Sequence, residues 1–362
     1  MGLVCPASGG NVVEAPAGSR FDGGRRRWPG VEVSLFATIA SWVVVTLTLT
    51  VMLLLRVRQT HDFGLARAVL HVAYVAALVW TLVRRGPALR AVPASPLGAR
   101  AGQGRWKAAT AVAALVLGLA GLAEAGLLLL LLAAVTAGLT VGWRRQWTWR
   151  AAALGLAVTL LAFGAGGFPF WRHGFVRPPI LVFMLVAVPP MFVVGALLVV
   201  RSGIGAVHLA ERRYGDALRG FCWGAALFVP LGLVNAAGSV RPGLNWVTHW
   251  WQPLVLPLWS GVTEEVVFRL VLVPLGFALL RPALTRSATL AAVLAVLFSA
   301  ASFGLAHGRS VEMLLATGLG YGLPLAVIFA RRSWEHAVGA HYMINMIPTA
   351  MALAENTWWS GS

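Results

Sequence analysis

Residues 261–270 read GVTEEVVFRL and place two adjacent glutamates and an arginine inside an otherwise apolar run. The whole chain of 362 residues has only 12 acidic residues. On insertion scales, a charged side chain at the centre of a membrane helix costs roughly 2.5–3.5 kcal/mol. We therefore expect Glu264, Glu265 and Arg269 to have a partner or a function inside the fold.

The composition around this stretch is that of a helical membrane protein. Hydrophobic residues make up 59% of the chain and charged residues 11%. Apolar runs of about twenty residues recur, and a helix of that length spans the hydrocarbon core of a bilayer. A membrane β-barrel would instead show short alternating segments, and none are seen. We predict an all-α, polytopic transmembrane helical bundle.

The apolar runs predict about eleven spans. The run 108–143 is too long for one pass and is interrupted by the sequence GLAEAG with Glu124 at its centre, so we divide it into two passes. We interpret Glu124 as an interior polar residue. The other nine spans are predicted near residues 33–55, 65–83, 151–167, 180–200, 220–238, 253–280, 288–307, 312–330 and 335–353.

The net charge of +17 comes almost entirely from arginine. With the N-terminus in the cytoplasm, the loops on the cytoplasmic side hold 21 of the 29 basic residues, as the positive-inside rule requires. This distribution explains the basic charge without a nucleic-acid partner. We expect a multi-pass protein of the cell membrane with a cytoplasmic N-terminus, and the arginine- and alanine-rich composition indicates a bacterial inner membrane.

Composition shifts along the chain predict its organisation. A loop rich in Pro, Gly and Arg separates the first two spans from the rest. The expected units are a disordered cytoplasmic tail (1–30), an N-terminal transmembrane pair (31–83), a basic linker (84–107), additional transmembrane helices (108–219), a C-terminal transmembrane core (220–354) and a C-terminal tail (355–362).

Three short motifs in the last third of the chain hold most of the polar residues at membrane depth. On a helix, Glu265 and Arg269 are four residues apart in the orientation that favours pairing. Glu264 then points about 100° away and is free to face something else. The second motif is FGLAHG, which ends an apolar span with His307, and the third is HYMINM.

In HYMINM, His341 and Asn345 share one helix face. Because lipid disfavours all of these groups, the three helices are expected to present them to a common interior. A carboxylate, two imidazoles and a carboxamide are the groups needed to hydrolyse an amide with water. The same set could bind a divalent metal, although no HExxH motif is present to favour zinc.

The ordered series Glu-Glu-x-x-x-Arg, Phe-x-x-x-His and His-x-x-x-Asn on successive helices resembles the CPBP family. That family comprises the CAAX prenyl endopeptidases and the bacteriocin-processing or immunity (Abi) intramembrane proteases. The resemblance covers about residues 250–353. Many members have a glycine after the arginine, where this chain has Leu270.

The resemblance implies a C-terminal CPBP-like catalytic helix core with a defined role for each residue. Glu264 would activate water with help from His307, and His341 and Asn345 would stabilise the oxyanion. If a metal is bound, these four residues would be its ligands. Glu265 and Arg269 would be a structural pair.

We therefore predict an intramembrane endopeptidase with no cofactor or one divalent metal. Its expected partners are membrane lipids and a membrane-associated peptide or protein substrate. The alternative is a non-proteolytic scaffold, bacteriocin-immunity factor or transporter that retains the fold.

Overall fold

The computed structural model describes residues 29–54, 61–85, 149–174, 178–238, 244–281, 284, 287–308 and 310–359, and these residues are almost entirely helical, with no strand among them. The two predicted passes in 108–143, with Glu124, lie outside them. So do the predicted N-terminal tail as far as residue 28 and the linker from residue 86 onward.

The described helices follow the apolar runs of the sequence. They are α1 (Pro29–Leu54), α2 (His61–Arg85), α3 (Trp149–Ala162, continued by Phe163–Gly167 and Phe168–Arg172), α4 (Pro178–Ser202), α5 (Tyr214–Gly238), α6 (Gln252–Val255, Pro257–Glu265, Val266–Leu272 and Val273–Leu280), α7 (Ala288–His307), α8 (Val311–Met313, Leu314–Gly322 and Leu323–Arg331) and α9 (Trp334–Ala354, continued by Glu355–Trp359).

Five helical segments are long and apolar enough to cross a membrane, judged by length and composition within the described residues. The protein is therefore a helical membrane protein. These five segments do not establish the predicted count of about eleven. They are Leu65–Arg84, Ala153–Phe170, Tyr214–Ala237, Ala288–His307 and Val311–Arg331.

Local sequence signals determine where the helices around the site begin. Helix α7 begins after Ser287, whose hydroxyl accepts a hydrogen bond from the backbone N–H of Leu290 at 3.1 Å. The second piece of α6 begins at Pro257, since the first turn of a helix does not use the missing N–H. This start places Glu264 in the last turn of that piece.

Helix α9 lies at the centre of the described bundle and packs along α5. Glycines allow this close approach. A Cβ atom on Gly339 would lie 2.0 Å from the carbonyl oxygen of Phe221, and one on Gly224 would lie 2.0 Å from that of His336. Because α9 has neighbours on several sides, its buried polar residues, such as His341 and Thr349, face protein and not lipid.

Helices α7 and α8 also cross closely. A Cβ on Gly304 of α7 would lie 2.9 Å from the Cα of Gly318 on α8, and Gly322 faces the same part of α7 at Ala300. The small residues of Gly318-x-x-x-Gly322 thus bring α8 against α7. Helices α6, α7, α8 and α9 together surround the polar groups described next.

Candidate active site

A cavity of about 400 Å³ lies between α6, α7, α8 and α9. All four catalytic candidates predicted from the sequence line it: Glu264, His307, His341 and Asn345. Aromatic and hydroxyl side chains complete much of the wall, among them Phe170, Trp259, Ser260, Phe303, Thr317, Tyr321 and Thr349.

Glu264 lines the cavity from α6. Its side chain is 22% exposed, and its buried Oε2 atom has no hydrogen-bond partner within the described residues. A buried carboxylate oxygen is costly to leave without a partner. The free oxygen is therefore available to a molecule inside the cavity.

His307, at the end of α7, approaches Glu264 from one side. Its Nδ1 atom lies 2.8 Å from the carbonyl oxygen of Phe303, one helical turn earlier. Because a carbonyl only accepts hydrogen bonds, Nδ1 is the protonated donor, and in the neutral ring Nε2 has the lone pair. Nε2 lies 3.6 Å from Oε2 of Glu264.

His341, on α9, approaches Glu264 from another side. Its Nδ1 atom lies 2.7 Å from Oε1 of Glu265 and donates to that carboxylate. Its Nε2 atom lies 3.9 Å from Oε2 of Glu264. The Nε2 atoms of both histidines thus converge on one carboxylate oxygen, while each Nδ1 is bound to another partner, the Phe303 carbonyl or the Glu265 carboxylate.

Glu265 and Arg269 lie together in the interior with both side chains 0% exposed. The Nη1 atom of Arg269 is 3.2 Å from Oε1 of Glu265, without the alignment of a hydrogen bond. The other terminal nitrogen donates to the carbonyl of Gly322 at 3.3 Å. The guanidinium group also lies 4.3 Å from the ring centroid of Phe303, which adds a cation–π contact. The pair is electrostatic and joins α6 to α7 and α8.

Asn345 lies one turn after His341 on α9. Its Nδ2 atom donates to the hydroxyl of Ser260 at 2.8 Å. The sequence analysis missed Ser260, although a signal exists: it precedes Glu264 by four residues and so shares its helix face. Thr317 and Tyr321, which line the cavity from α8, carried no comparable signal.

The metal alternative can be compared with this geometry. Glu264, His307 and His341 would be protein ligands, and Asn345 would add its Oδ1 atom, because its hydrogen bond to Ser260 uses Nδ2. In the part of the chain that the structure describes, no group of three or more His, Cys, Asp or Glu side chains is placed to hold a metal ion. A chelation experiment tests the metal alternative.

Polar side chains from α6, α7 and α9 around one cavity fit the general plan of an intramembrane enzyme. Among family models, residues 246–347 match the one described as type II CAAX prenyl endopeptidase Rce1-like. The chain therefore contains a domain of the CPBP family of intramembrane proteases, which confirms the resemblance found in the sequence. Comparisons with curated proteins and with solved structures found no match.

Proposed function

We propose that this protein is an intramembrane endopeptidase in which Glu264 activates the attacking water. The observation that supports this proposal best is the position of the Glu264 Oε2 atom. It has no hydrogen-bond partner among the described residues and lies 3.6 Å and 3.9 Å from the Nε2 atoms of His307 and His341.

The tautomer of His307 supports the same role. Its Nε2 lone pair and the Glu264 carboxylate are both acceptors, so they cannot hydrogen-bond to each other directly across the 3.6 Å that separates Nε2 from Oε2. A water molecule has two O–H groups and can donate one to each acceptor, which leaves an oxygen lone pair for attack. Water held by two bases in a cavity is a nucleophile suited to amide hydrolysis.

The proposed reaction consumes one water and one peptide bond. Water oxygen attacks the carbonyl carbon while Glu264 accepts the proton, and the carbonyl oxygen becomes an oxyanion. We assign the stabilisation of that oxyanion to Asn345 and His341, with the Asn345 amide as an N–H donor. As the C–N bond breaks, the proton on Glu264 passes to the leaving amine, which gives one carboxylic acid and one amine.

We also propose the finer arrangement in the membrane. Eleven spans with a cytoplasmic N-terminus, in a bacterial inner membrane, are supported by the distribution of basic residues between opposite loops. The proposed units are the tail (1–30), the helix pair (31–83), the linker (84–107), the further helices (108–219), the core (220–354) and the C-terminal tail (355–362). The proposed substrate is a membrane-associated peptide or protein within a lipid environment.

The experiment compares the peptide termini of the membrane proteome in cells that express the wild-type protein or Glu264→Gln. Glutamine keeps the shape of the side chain but is not a base. Loss of a general base typically reduces the rate by about 10²–10⁴-fold, so new termini should vanish with this variant. Glu312→Gln is the matched control, because Glu312 is exposed at the start of α8, outside the cavity lining.

Two results would overturn the proposal. Glu264→Gln could produce the same termini as the wild type at equal expression. A cellular phenotype could also be restored equally by both proteins, with no difference in termini. The second result would favour the scaffold, immunity or transport alternative.

A further inference from the structure

The N-terminal helix pair contacts the catalytic domain at the wall of its cavity. The Nε2 atom of His71, on α2, lies 3.1 Å from the carbonyl oxygen of Gly320 on α8. A carbonyl can only accept, so the imidazole is the donor. His71 lies outside the family segment 246–347, whereas Gly320 lies within it.

The contact depends on a close approach of the two helices. A Cβ atom on Gly320 would lie 2.7 Å from Cε1 and 3.0 Å from Nε2 of His71. Any side chain larger than hydrogen would therefore displace the imidazole. Glycine at residue 320 thus leaves the space that the His71 ring occupies.

The next residue, Tyr321, connects this contact to the site. Its side chain lines the cavity that holds Glu264 and His307. The ring centroids of Tyr321 and His71 are 4.9 Å apart, with the planes tilted by 45°. His71 thus supports the Tyr321 ring and also anchors the backbone beside it.

The helix pair has other contacts with the described bundle, among them packing of α2 on the last piece of α8 and hydrogen bonds to α5. Nε1 of Trp42 on α1 donates to the carbonyl of Ala226 at 3.0 Å. The hydroxyl of the buried Tyr74 donates to the backbone carbonyl of Leu227. Loss of the His71 ring would therefore leave the pair docked. The expected change is the loss of the ring contact between His71 and Tyr321.

We propose that His71 is a positioning residue for the active site, and that the N-terminal helix pair thereby helps to determine which substrates fit the cavity. The proposal depends on the proposed function only in taking this cavity as the substrate site. Because His71 acts through Tyr321, its loss should change substrate binding more than the chemical step.

The first test needs no substrate. In a background of Cys5→Ser and Cys222→Ser, Thr317→Cys places a thiol on the cavity wall, one turn before Tyr321. The rate of labelling by N-ethylmaleimide then measures access to the cavity. His71→Ala leaves space into which the Tyr321 ring can retreat, so the labelling rate should rise several-fold.

Val72→Ala is the matched control, because Val72 is the next residue of α2 and is 69% exposed. It should leave the labelling rate unchanged. His71→Gln retains a donor that can reach the Gly320 carbonyl, and it should restore part of the wild-type rate. An unchanged or reduced rate in His71→Ala, or an equal rise in Val72→Ala, would overturn the proposal.

The second test uses a peptide substrate identified from the cellular termini. His71→Ala should raise KM by about threefold or more and change kcat by less than about twofold, the pattern of lost binding. Equal loss of kcat with KM unchanged would overturn the positioning role. If the proposed function itself fails, no Glu264-dependent cleavage will be found, while the labelling result still decides the role of His71.

Discussion

The Nδ1 atom of His341 lies 2.7 Å from Oε1 of Glu265, and the same oxygen lies 3.2 Å from Arg269. One carboxylate thus connects a cation on its own helix to a histidine on another. Its contact with Arg269 compensates a buried charge, and its contact with His341 determines which nitrogen of that ring faces Glu264. The two adjacent glutamates therefore have separate partners.

The first prediction concerns the buried ion pair. Glu265→Gln should lower the free energy of unfolding by about 3–5 kcal/mol, because Arg269 is then a buried charge without a counterion. Arg269→Met should have a similar effect for the opposite reason. The double variant should be more stable than the sum of the two losses predicts, since no charge is left uncompensated.

Thermal unfolding midpoints in detergent would measure this double-mutant cycle. Losses that simply add would show that the two side chains do not interact energetically. Activity gives a second contrast: Glu264→Gln should be folded but inactive, whereas Glu265→Gln should be unstable.

The second prediction separates the role of Asn345 from that of Ser260. Asn345→Ala removes a proposed oxyanion donor and should lower kcat by roughly 10²–10³-fold. Ser260→Ala removes only the hydroxyl that orients the amide, a hydrogen bond of about 1 kcal/mol, so the loss should be roughly fivefold. Steady-state cleavage kinetics of both variants would check this order. An equal loss in both would mean that Ser260 itself contacts the reacting groups.

The third prediction tests the close packing of α9 against α5. Gly339→Ala would place a Cβ 2.0 Å from a backbone oxygen of Phe221 and should destabilise the protein by about 3 kcal/mol or more, since backbone cannot yield as a side chain can. Gly215→Ala is the control on α5, with no atom within 4 Å of its added Cβ.

Gly215→Ala should instead stabilise by about 0.5–1 kcal/mol, because alanine loses less conformational entropy in a helix. Denaturant midpoints in the same detergent would compare the two variants. Opposite signs are expected, and equal effects would argue against close helix packing at Gly339.

The fourth prediction concerns metal dependence. Water activated by a carboxylate needs no ion, so treatment with EDTA or 1,10-phenanthroline should change the cleavage rate by less than about twofold. A complete loss that a single divalent metal restores would contradict this. In that case Glu264, His307 and His341 would be reinterpreted as ligands, and metal content measured by mass spectrometry should fall in Glu264→Gln.

Part of this architecture follows directly from residue patterns. Every predicted span outside 108–143 corresponds to a described helix. The reason is that a helix pairs all the backbone N–H and C=O groups of such an apolar run where no water can do so. Helical periodicity was enough to place Glu265 beside Arg269 and to put His341 and Asn345 on one face. The order of the three motifs was enough to indicate the family.

Contacts between helices were beyond the reach of those patterns. The partners His341 and Glu265 are 76 residues apart, Asn345 and Ser260 are 85 apart, and His71 and Gly320 are 249 apart. Periodicity predicts which residues share a face of one helix, but not which faces of two helices contact each other. The contact of Glu265 with His341, the orientation of Asn345 and the support of Tyr321 all depend on such contacts between helices.

The sequence by itself therefore determined the helical membrane class, the polar residues that lipid excludes and the short-range pairing of Glu265 with Arg269. Those features depend on hydrophobicity and on spacing within one helix, which are local properties. Only the tertiary structure decided that two imidazole Nε2 atoms converge on Glu264 and that α2 supports the cavity. These depend on how closely glycine-lined helices approach one another, which is a property of the packed bundle.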